Sequence, residues 1–381
     1  MNEFHQTRGA HSRRLFAAVV ALALVAAACG SDTKSSSNSL PASSASSQDP
    51  AASKPAATTA AVGSAPAETS SAGTGTAVKD FSVGVALGGS RNDQSYFQSV
   101  FEGAQRGAKD HGAKLTVVDN LIDETAAGDA IRNLSNNTVV VVDITLFASL
   151  VPVAEQNPKT TYIVSSGFFA PGDVPKNVHG YVDVYGWATY PMGQIAAKLS
   201  KTGKLGYITG GTFPIERTAL AGFTEGAKSI NPNIQVVETV VSNTADVAGA
   251  KQATAAQISS GVDIVYGFID AGFVGLQQAA DESGKDISLF GVVVDRCDRG
   301  KNIVGNNLAD YTAVVAGAID DFASGNLPSP TRAYGLENEK MQQFNLCPTF
   351  QTPELVKLAK ETVAAIKDGS LKLPASVTAQ K

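Results

Sequence analysis

Ser82-Val83-Gly84-Val85-Ala86-Leu87-Gly88-Gly89-Ser90-Arg91-Asn92-Asp93-Gln94-Ser95-Tyr96-Phe97-Gln98 reads as a short β-branched run, a glycine turn and the opening of an amphipathic stretch. A strand that enters a helix through such a turn is the first half of a βαβ unit. The alternation continues: the residues predict strands at 82–87, 115–118, 139–142, 162–164, 205–208, 235–241, 264–266, 289–294 and 303–305. Between and after them lie predicted helices at 94–110, 125–134, 146–156, 187–199, 215–229, 247–259, 273–283, 311–324 and 354–367. Strands this apolar are covered by helices on both faces, so the fold class is α/β. One series closes near Asp183 and a second opens at Lys204, which gives two Rossmann-like lobes with parallel sheets joined by a hinge. The expected folded part is 78–375, with lobe 1 at about 79–184 plus 297–325 and lobe 2 at about 185–296 plus 326–375. Open parallel sheets bind ligands at the carboxyl ends of their strands, so the polar turns that follow the strands are the expected ligand contacts.

Upstream of this part, Arg8, Arg13 and Arg14 precede the apolar run 15–25, and Ala26-Ala27-Ala28-Cys29-Gly30 follows it. That order predicts a secretory signal peptide at 1–28 ending in a lipobox-like site. The run of about 11 apolar residues is too short to span a bilayer, which takes about 20. Cys29 is the expected lipidation site, carrying palmitate; with Ala26 where a leucine is more usual, an ordinary secretory signal is the alternative. Residues 29–77 are Ser, Ala, Thr, Gly and Pro with almost no large apolar side chain, and read as a disordered tether. Loss of the leader, with three arginines and one glutamate, takes the net charge from −5 to −7. An acidic chain of this kind argues against nucleic acid as a partner. Of three cysteines one is Cys29, so in an oxidising compartment Cys297 and Cys347 form a disulfide or stay as two buried thiols.

Catalytic chemistry has little to stand on. After the leader only His111 and His179 remain as imidazoles, and neither sits near a Gly-x-Ser-x-Gly elbow. There is no Walker A motif and no metal-spaced Cys/His cluster, and Gly88-Gly89 lacks the third glycine of a dinucleotide fingerprint. The chain is therefore expected to be no enzyme, with no cofactor and no metal. The segment 88–98 carries the most information about binding. Asp93 or Ser95 suits a helix cap as well as a ligand contact, and Tyr96 and Phe97 suit the core equally, although adjacent helical residues do not share a face, which favours at least one ring toward the cleft.

Asp93-Gln94-Ser95-Tyr96-Phe97-Gln98-Ser99 with Glu102-Gly103 resembles the Asp-x-Ser-Phe-Asn-Gln and Glu-Gly signature of the basic membrane protein family. The similarity runs on through Met192-Gly193, 202–211, Ala221-Gly222-Phe223, Asn231-Pro232, 261–266, Asp368-Gly369 and Pro374. Members are lipoproteins that resemble type I periplasmic binding proteins, and they include purine-nucleoside receptors of ABC importers. The resemblance implies that Tyr96 stands for a stacking phenylalanine and Tyr266 for a second-lobe aromatic closing the stack. It also implies that Gly272 belongs to a ligand loop beginning at Asp270, and that Asp295 accepts ribose hydroxyls. Phe97 replaces the family's asparagine, Arg296-Cys297-Asp298 replaces the acidic and amide neighbours of Asp295, and Ala86 and Leu87 stand where purine binders carry a carboxylate. The lysine of such members is absent near Asn306, Asn307 and Asp310. The expected function is a monomeric, membrane-anchored extracytoplasmic substrate-binding protein for an ABC permease, closing on a nucleoside-like ligand through Asp93, Ser95, Tyr96, Phe97, Tyr266, Gly272 and Asp295. A ligand-sensing lipoprotein that signals to a membrane partner without transport is the second expectation.

Overall fold

The computed structural model describes residues 77–378. The leader, Cys29 and the tether up to residue 76 lie outside the described residues. From β1 (Ser82–Ala86) the chain passes through α1 (Tyr96–Asp110), β2 (Lys114–Val118), α2 (Glu124–Leu134), β3 (Val139–Asp143), α3 (Phe147–Gln156), β4 (Thr161–Ser165) and β5 (Val178–Asp183). The second series is α4 (Tyr185–Leu199), β6 (Lys204–Thr209), α5 (Pro214–Ile230), β7 (Gln235–Val240), α6 (Val247–Ser259), β8 (Ile264–Phe268), α7 (Phe273–Glu282), β9 (Ser288–Val293) and β10 (Ile303–Ala309). It ends with α8 (Tyr311–Ser324), β11 (Thr331–Tyr334), β12 (Gln342–Leu346), α9 (Pro353–Lys367) and the short α10 (Ala375–Thr378).

These elements form two six-stranded sheets, ordered β11-β5-β4-β3-β1-β2 and β12-β10-β9-β8-β6-β7. Every pairing is parallel except β10 with β12. The central strands are buried on both faces, as in β3, where Val139 to Val142 are all fully inaccessible. Helix starts follow from side-chain caps: Asp123, Asp246 and Asp310 accept from Ala126, Gly249 and Ala313, satisfying N–H groups that the first turn leaves free. Gly325, in the left-handed region at φ 75°, ends α8.

Two expected boundaries are corrected by the pairing. β10 belongs to lobe 2, in parallel register with β9 from Ile303↔Leu289 to Leu308↔Val293, and not to lobe 1. Conversely β11 pairs with β5 and so extends lobe 1 beyond residue 325. The chain enters lobe 1 for the second time only at α8, which packs on α1, and leaves it after Tyr334. β11 and β12 escaped the sequence reading because they are edge strands of mixed polarity, Thr-Arg-Ala-Tyr and Gln-Gln-Phe-Asn-Leu. β5 is likewise absent from the predicted strands, although the first series was expected to close near its last residue, Asp183.

Three chain segments therefore cross between the lobes, at 183–185, 309–311 and 334–342. They are bonded side by side, with Val184 N–H donating to the Tyr334 carbonyl (2.7 Å) and Asp310 N–H to that of Met341 (2.8 Å). Trp187, the only tryptophan, packs against Gly335 in the third crossing. Behind the first crossing α4 and α5 meet backbone to backbone. A Cβ on Gly193 would sit 2.0 Å from the Phe223 carbonyl oxygen, and one on Gly226 1.9 Å from that of Tyr190.

Candidate functional site

A cavity of about 830 Å³ lies between the lobes. It is lined by the turns after β1, β2, β3 and β4 on one side and by the turns after β6, β7 and β8 with the end of β9 on the other. These are the carboxyl ends of both sheets, around the points where strand order reverses. Four of its neighbours hold left-handed backbone without being glycine: Gln94, Asn120, Ser166 and Val293, with φ between 56° and 68°. Such conformations persist only where surrounding structure enforces them, and they concentrate at ligand sites.

Lobe 1 contributes Asp93, Tyr96 and Phe97 to the cavity wall. Asp93 fastens the start of α1, accepting from the N–H groups of Ser95 (3.0 Å), Phe97 (3.2 Å) and Gln98 (2.9 Å). Both aromatics face the cavity while being largely buried. The Tyr96 hydroxyl bonds Ser165, at 2.7 Å from its Oγ, and the ring meets Tyr311 edge-on at 4.8 Å. Tyr311 in turn bonds Tyr185 (3.0 Å), whose ring meets Phe268 at 5.0 Å, so an aromatic chain runs from one lobe to the other.

Lobe 2 contributes Phe213, Glu216, Phe268 and Asp270. Ser95 does not line the cavity. It reaches across the lobes, donating its hydroxyl to Asp270 Oδ1 (2.7 Å) and accepting from Arg296 Nη2 (3.3 Å). Arg296, only 3% exposed, also donates to the carbonyls of Val292 (2.9 Å) and Asp270 (3.4 Å) and lies over the Phe273 ring. Arg299 adds a rim contact to Gln94 (2.9 Å). Gly272 stands behind the cavity wall and steadies the Asp270 loop through its N–H to Thr244 (3.0 Å).

Two expected contacts lie elsewhere. Tyr266 is fully buried in lobe 2, against Tyr207 and Phe223 with ring centroids 5.4 Å away in each case. It shares a strand face with Phe268 but sits two residues, about 6.6 Å, deeper toward the amino end of β8. Phe268 is thus the ring that reaches the crevice. Asp295 is exposed beyond β9 and lines a separate pocket of about 310 Å³. The cause is a tight turn at Val293, where Val294 N–H returns to the Val292 carbonyl (2.8 Å). It brings Arg296 inward in place of Asp295, whose Oδ1 accepts from Cys297 N–H and Asn306. Cys297 and Cys347 are joined by a disulfide, with Cα atoms 5.3 Å apart. Glu216, Phe213, Phe268 and Arg296 were not expected as site residues. Glu216 alone had a local signal, as an acid in the first turn of a helix that follows a strand.

Four carboxyls gather here, and burial raises all of them above the ordinary carboxylate range. Asp143, which accepts from Gly88 N–H (2.6 Å) and Thr145, is pushed to about 6, and Glu216 to about 7. Burial raises Asp93, further lifted by the charge of Asp270, and raises Asp270 itself against its bond from Ser95. Such groups hold protons in the folded chain at pH values where the unfolded chain has lost them, so stability falls as pH climbs from about 5 through 7. The ligand-free protein is expected to be more stable at about pH 5 than at about pH 7.5, by on the order of 2–3 kcal/mol. Thermal melts at the two values check this, and Glu216→Gln should flatten the difference; a melting temperature that climbs over this range rules the effect out.

Neither histidine approaches the cavity. His111 closes α1 and pairs with Asp320 at 2.7 Å, and His179 Nδ1 lies 2.7 Å from the Pro328 carbonyl. Among the described residues one cluster has metal-ligating types, Asp295 with Cys297 and Cys347, and its sulfurs are committed to the disulfide.

Two Rossmann-like lobes that share a cavity at their switch points, with three crossings between them, define a two-lobed solute-binding protein. Residues 81–364 match the family described as ABC transporter substrate-binding protein, PnrA-like, and the chain belongs to that family. It is 28% identical over 325 residues to the CD4+ T-cell-stimulating antigen of Listeria innocua, covering 78% of this chain and 88% of that one. It is 24% identical over 306 residues to the ABC transporter nucleoside-binding protein BmpA of Lactococcus lactis, covering 74% and 86%. A solute-binding protein of an Aeropyrum pernix ABC transporter shares the fold at a TM-score of 0.65 and 21% identity, over 77% of this chain and 93% of that one. The resemblance read from residues 93–103 and the segments beyond is borne out, and the chain is an ABC transporter substrate-binding protein.

Proposed function

We propose that this protein captures a small polar ring-bearing molecule of nucleoside type outside the cytoplasm and passes it to an ABC permease, held to the membrane by a lipid on Cys29. The observation that carries the ligand class is the pairing of rings from both lobes, Tyr96 and Phe97 with Phe213 and Phe268, around one cavity that also presents carboxyl acceptors. Flat rings on opposite walls suit a flat ligand, and the carboxyls suit its hydroxyl and amino groups. The name of the Lactococcus relative supports the same class. Binding then shifts an open and closed equilibrium of the lobes.

Calorimetric titration of the purified protein with purine and pyrimidine nucleosides, sugars and amino acids tests the proposal. At least one nucleoside is expected to bind at micromolar Kd or tighter, and Tyr96→Ala should weaken it by about 1–3 kcal/mol. Phe213, 39% exposed at the cavity mouth, offers a variant with little effect on folding, and Phe213→Ala should cost about 1 kcal/mol of affinity. Binding confined to sugars or amino acids would sink the ligand class. Labelling with radioactive palmitate, present in the parent and lost in Cys29→Ala, tests the anchor.

A further inference from the structure

We infer that the ligand selected by this cleft carries a positive charge on its ring system, as a protonated or quaternised heteroaromatic does, and carries no phosphate or carboxylate. The inference rests on the preceding reading, that the cavity takes a nucleoside-like ring, and adds the charge of that ring.

The charges are unbalanced in one direction. Asp93 from lobe 1 and Glu216 and Asp270 from lobe 2 line the cavity, Glu124 stands exposed at the rim, and Asp143 is buried just behind the wall, accepting from Gly88 N–H. No lysine, arginine or histidine is among the residues that line the cavity. The cations nearby are already engaged. Arg91 pairs with Asp119 (2.7 Å), Arg217 pairs with Glu238, and Arg299 bonds Gln94 at the rim. Arg296 alone is buried with the carboxyls, behind Asp270 and bound to Ser95 and two carbonyls. The four carboxyls thus face one guanidinium.

Hydrogen bonding does not correct this. Asp93 accepts from three backbone N–H groups, Asp143 from Gly88 and Thr145, Glu216 from Phe213 N–H, and Asp270 from the Ser95 hydroxyl. These donors are neutral, and an ionised carboxylate out of water needs a countercharge as well as donors. A neutral ligand leaves the excess carboxyls to stay protonated. A cationic ring supplies the missing charge from both lobes' point of view at once, and Tyr96, Phe97 and Phe268 add ring faces that attract it. A phosphate would meet the same carboxyls with no free cation to receive it.

A matched series separates charge from shape: nicotinamide riboside, whose pyridinium is cationic, its uncharged dihydro form, and the corresponding mononucleotide, with adenosine as a neutral nucleoside. At about pH 8 the cationic riboside is expected to bind on the order of tenfold more tightly than the dihydro form, and the mononucleotide more weakly than the riboside. The preference should shrink toward parity at about pH 5, where Asp93, Asp143 and Glu216 hold protons. It should also shrink in Glu216→Gln and Asp270→Asn, which keep the shape and the accepting oxygen; the pH series on the parent protein serves if either variant folds poorly. If adenosine and the dihydro form bind as well as the cation, or the mononucleotide matches the riboside, the inference is wrong and the nucleoside reading stands. If none of the four binds while a sugar or amino acid does, the nucleoside reading fails and takes the inference with it.

Discussion

Alanine at Gly193 or Gly226 is expected to destabilise the protein by about 3 kcal/mol, although alanine is the better helix former by about 1 kcal/mol. At both positions the new Cβ would fall within 2.0 Å of a carbonyl oxygen on the facing helix. No rotamer relieves a collision between a Cβ and a main chain, so α4 and α5 must separate. Gly128 provides the contrast, since it lies within α2 with open space around its Cβ direction, and Gly128→Ala is expected to stabilise by up to about 1 kcal/mol. Urea denaturation of the three variants measures all of this, and a Gly193→Ala or Gly226→Ala protein as stable as the parent would show that the helix pair is not held at backbone contact. Because α4 begins with Tyr185, which lines the cavity, the same two variants should also bind ligand more weakly.

Serine at both Cys297 and Cys347 is expected to cost about 2–4 kcal/mol. The bond spans 50 residues, and closing a loop of that length removes about 4 kcal/mol of chain entropy from the unfolded state in the simplest treatment. Both sulfurs lie in lobe 2, next to β9 and β12, yet the loop they close contains α8 and β11 of lobe 1. Losing it frees both ends of the excursion through lobe 1, and the end at Cys297 adjoins Arg296, the buried cation that meets Ser95. The double variant should therefore lose ligand affinity as well as stability, and reduction of the parent protein should reproduce it. Equal urea midpoints for parent and double variant would dismiss the constraint.

The α/β class and most element positions were legible because they depend on local periodicity. The valines of β3 announce a strand buried on both faces, and α6 and α8 begin at the residues that Asp246 and Asp310 cap. What stayed hidden depends on pairing. β10 reads as a strand in isolation, but nothing within 303–309 says which sheet it joins, and β11 and β12 carry too few apolar residues to stand out. The site divides in the same way. Asp93, Tyr96 and Phe97 follow the first strand directly and reach the cavity together. Tyr266 and Asp295 were placed by resemblance, and small offsets along the chain moved both out of the cavity: two residues along β8 exchange Tyr266 for Phe268, and one left-handed residue, Val293, exchanges Asp295 for Arg296. Asp270 and Ser95 lie 175 residues apart, and only the closure of one lobe against the other makes them partners.

The three crossings carry a mechanical consequence. The segment at 334–342 is bonded to both others, through Val184 to Tyr334 and through Asp310 to Met341, so the junction works as an axle and not as a ball joint. Sliding or shearing one lobe past the other would break that ladder, whereas rotation about it leaves the ladder intact. Ligand capture is thereby geared into a single angle between the lobes. A permease that touched both outer rims would read that angle, and the reading would be the same for every molecule small enough to let the cleft close, which would leave selection to the chemistry of the cleft.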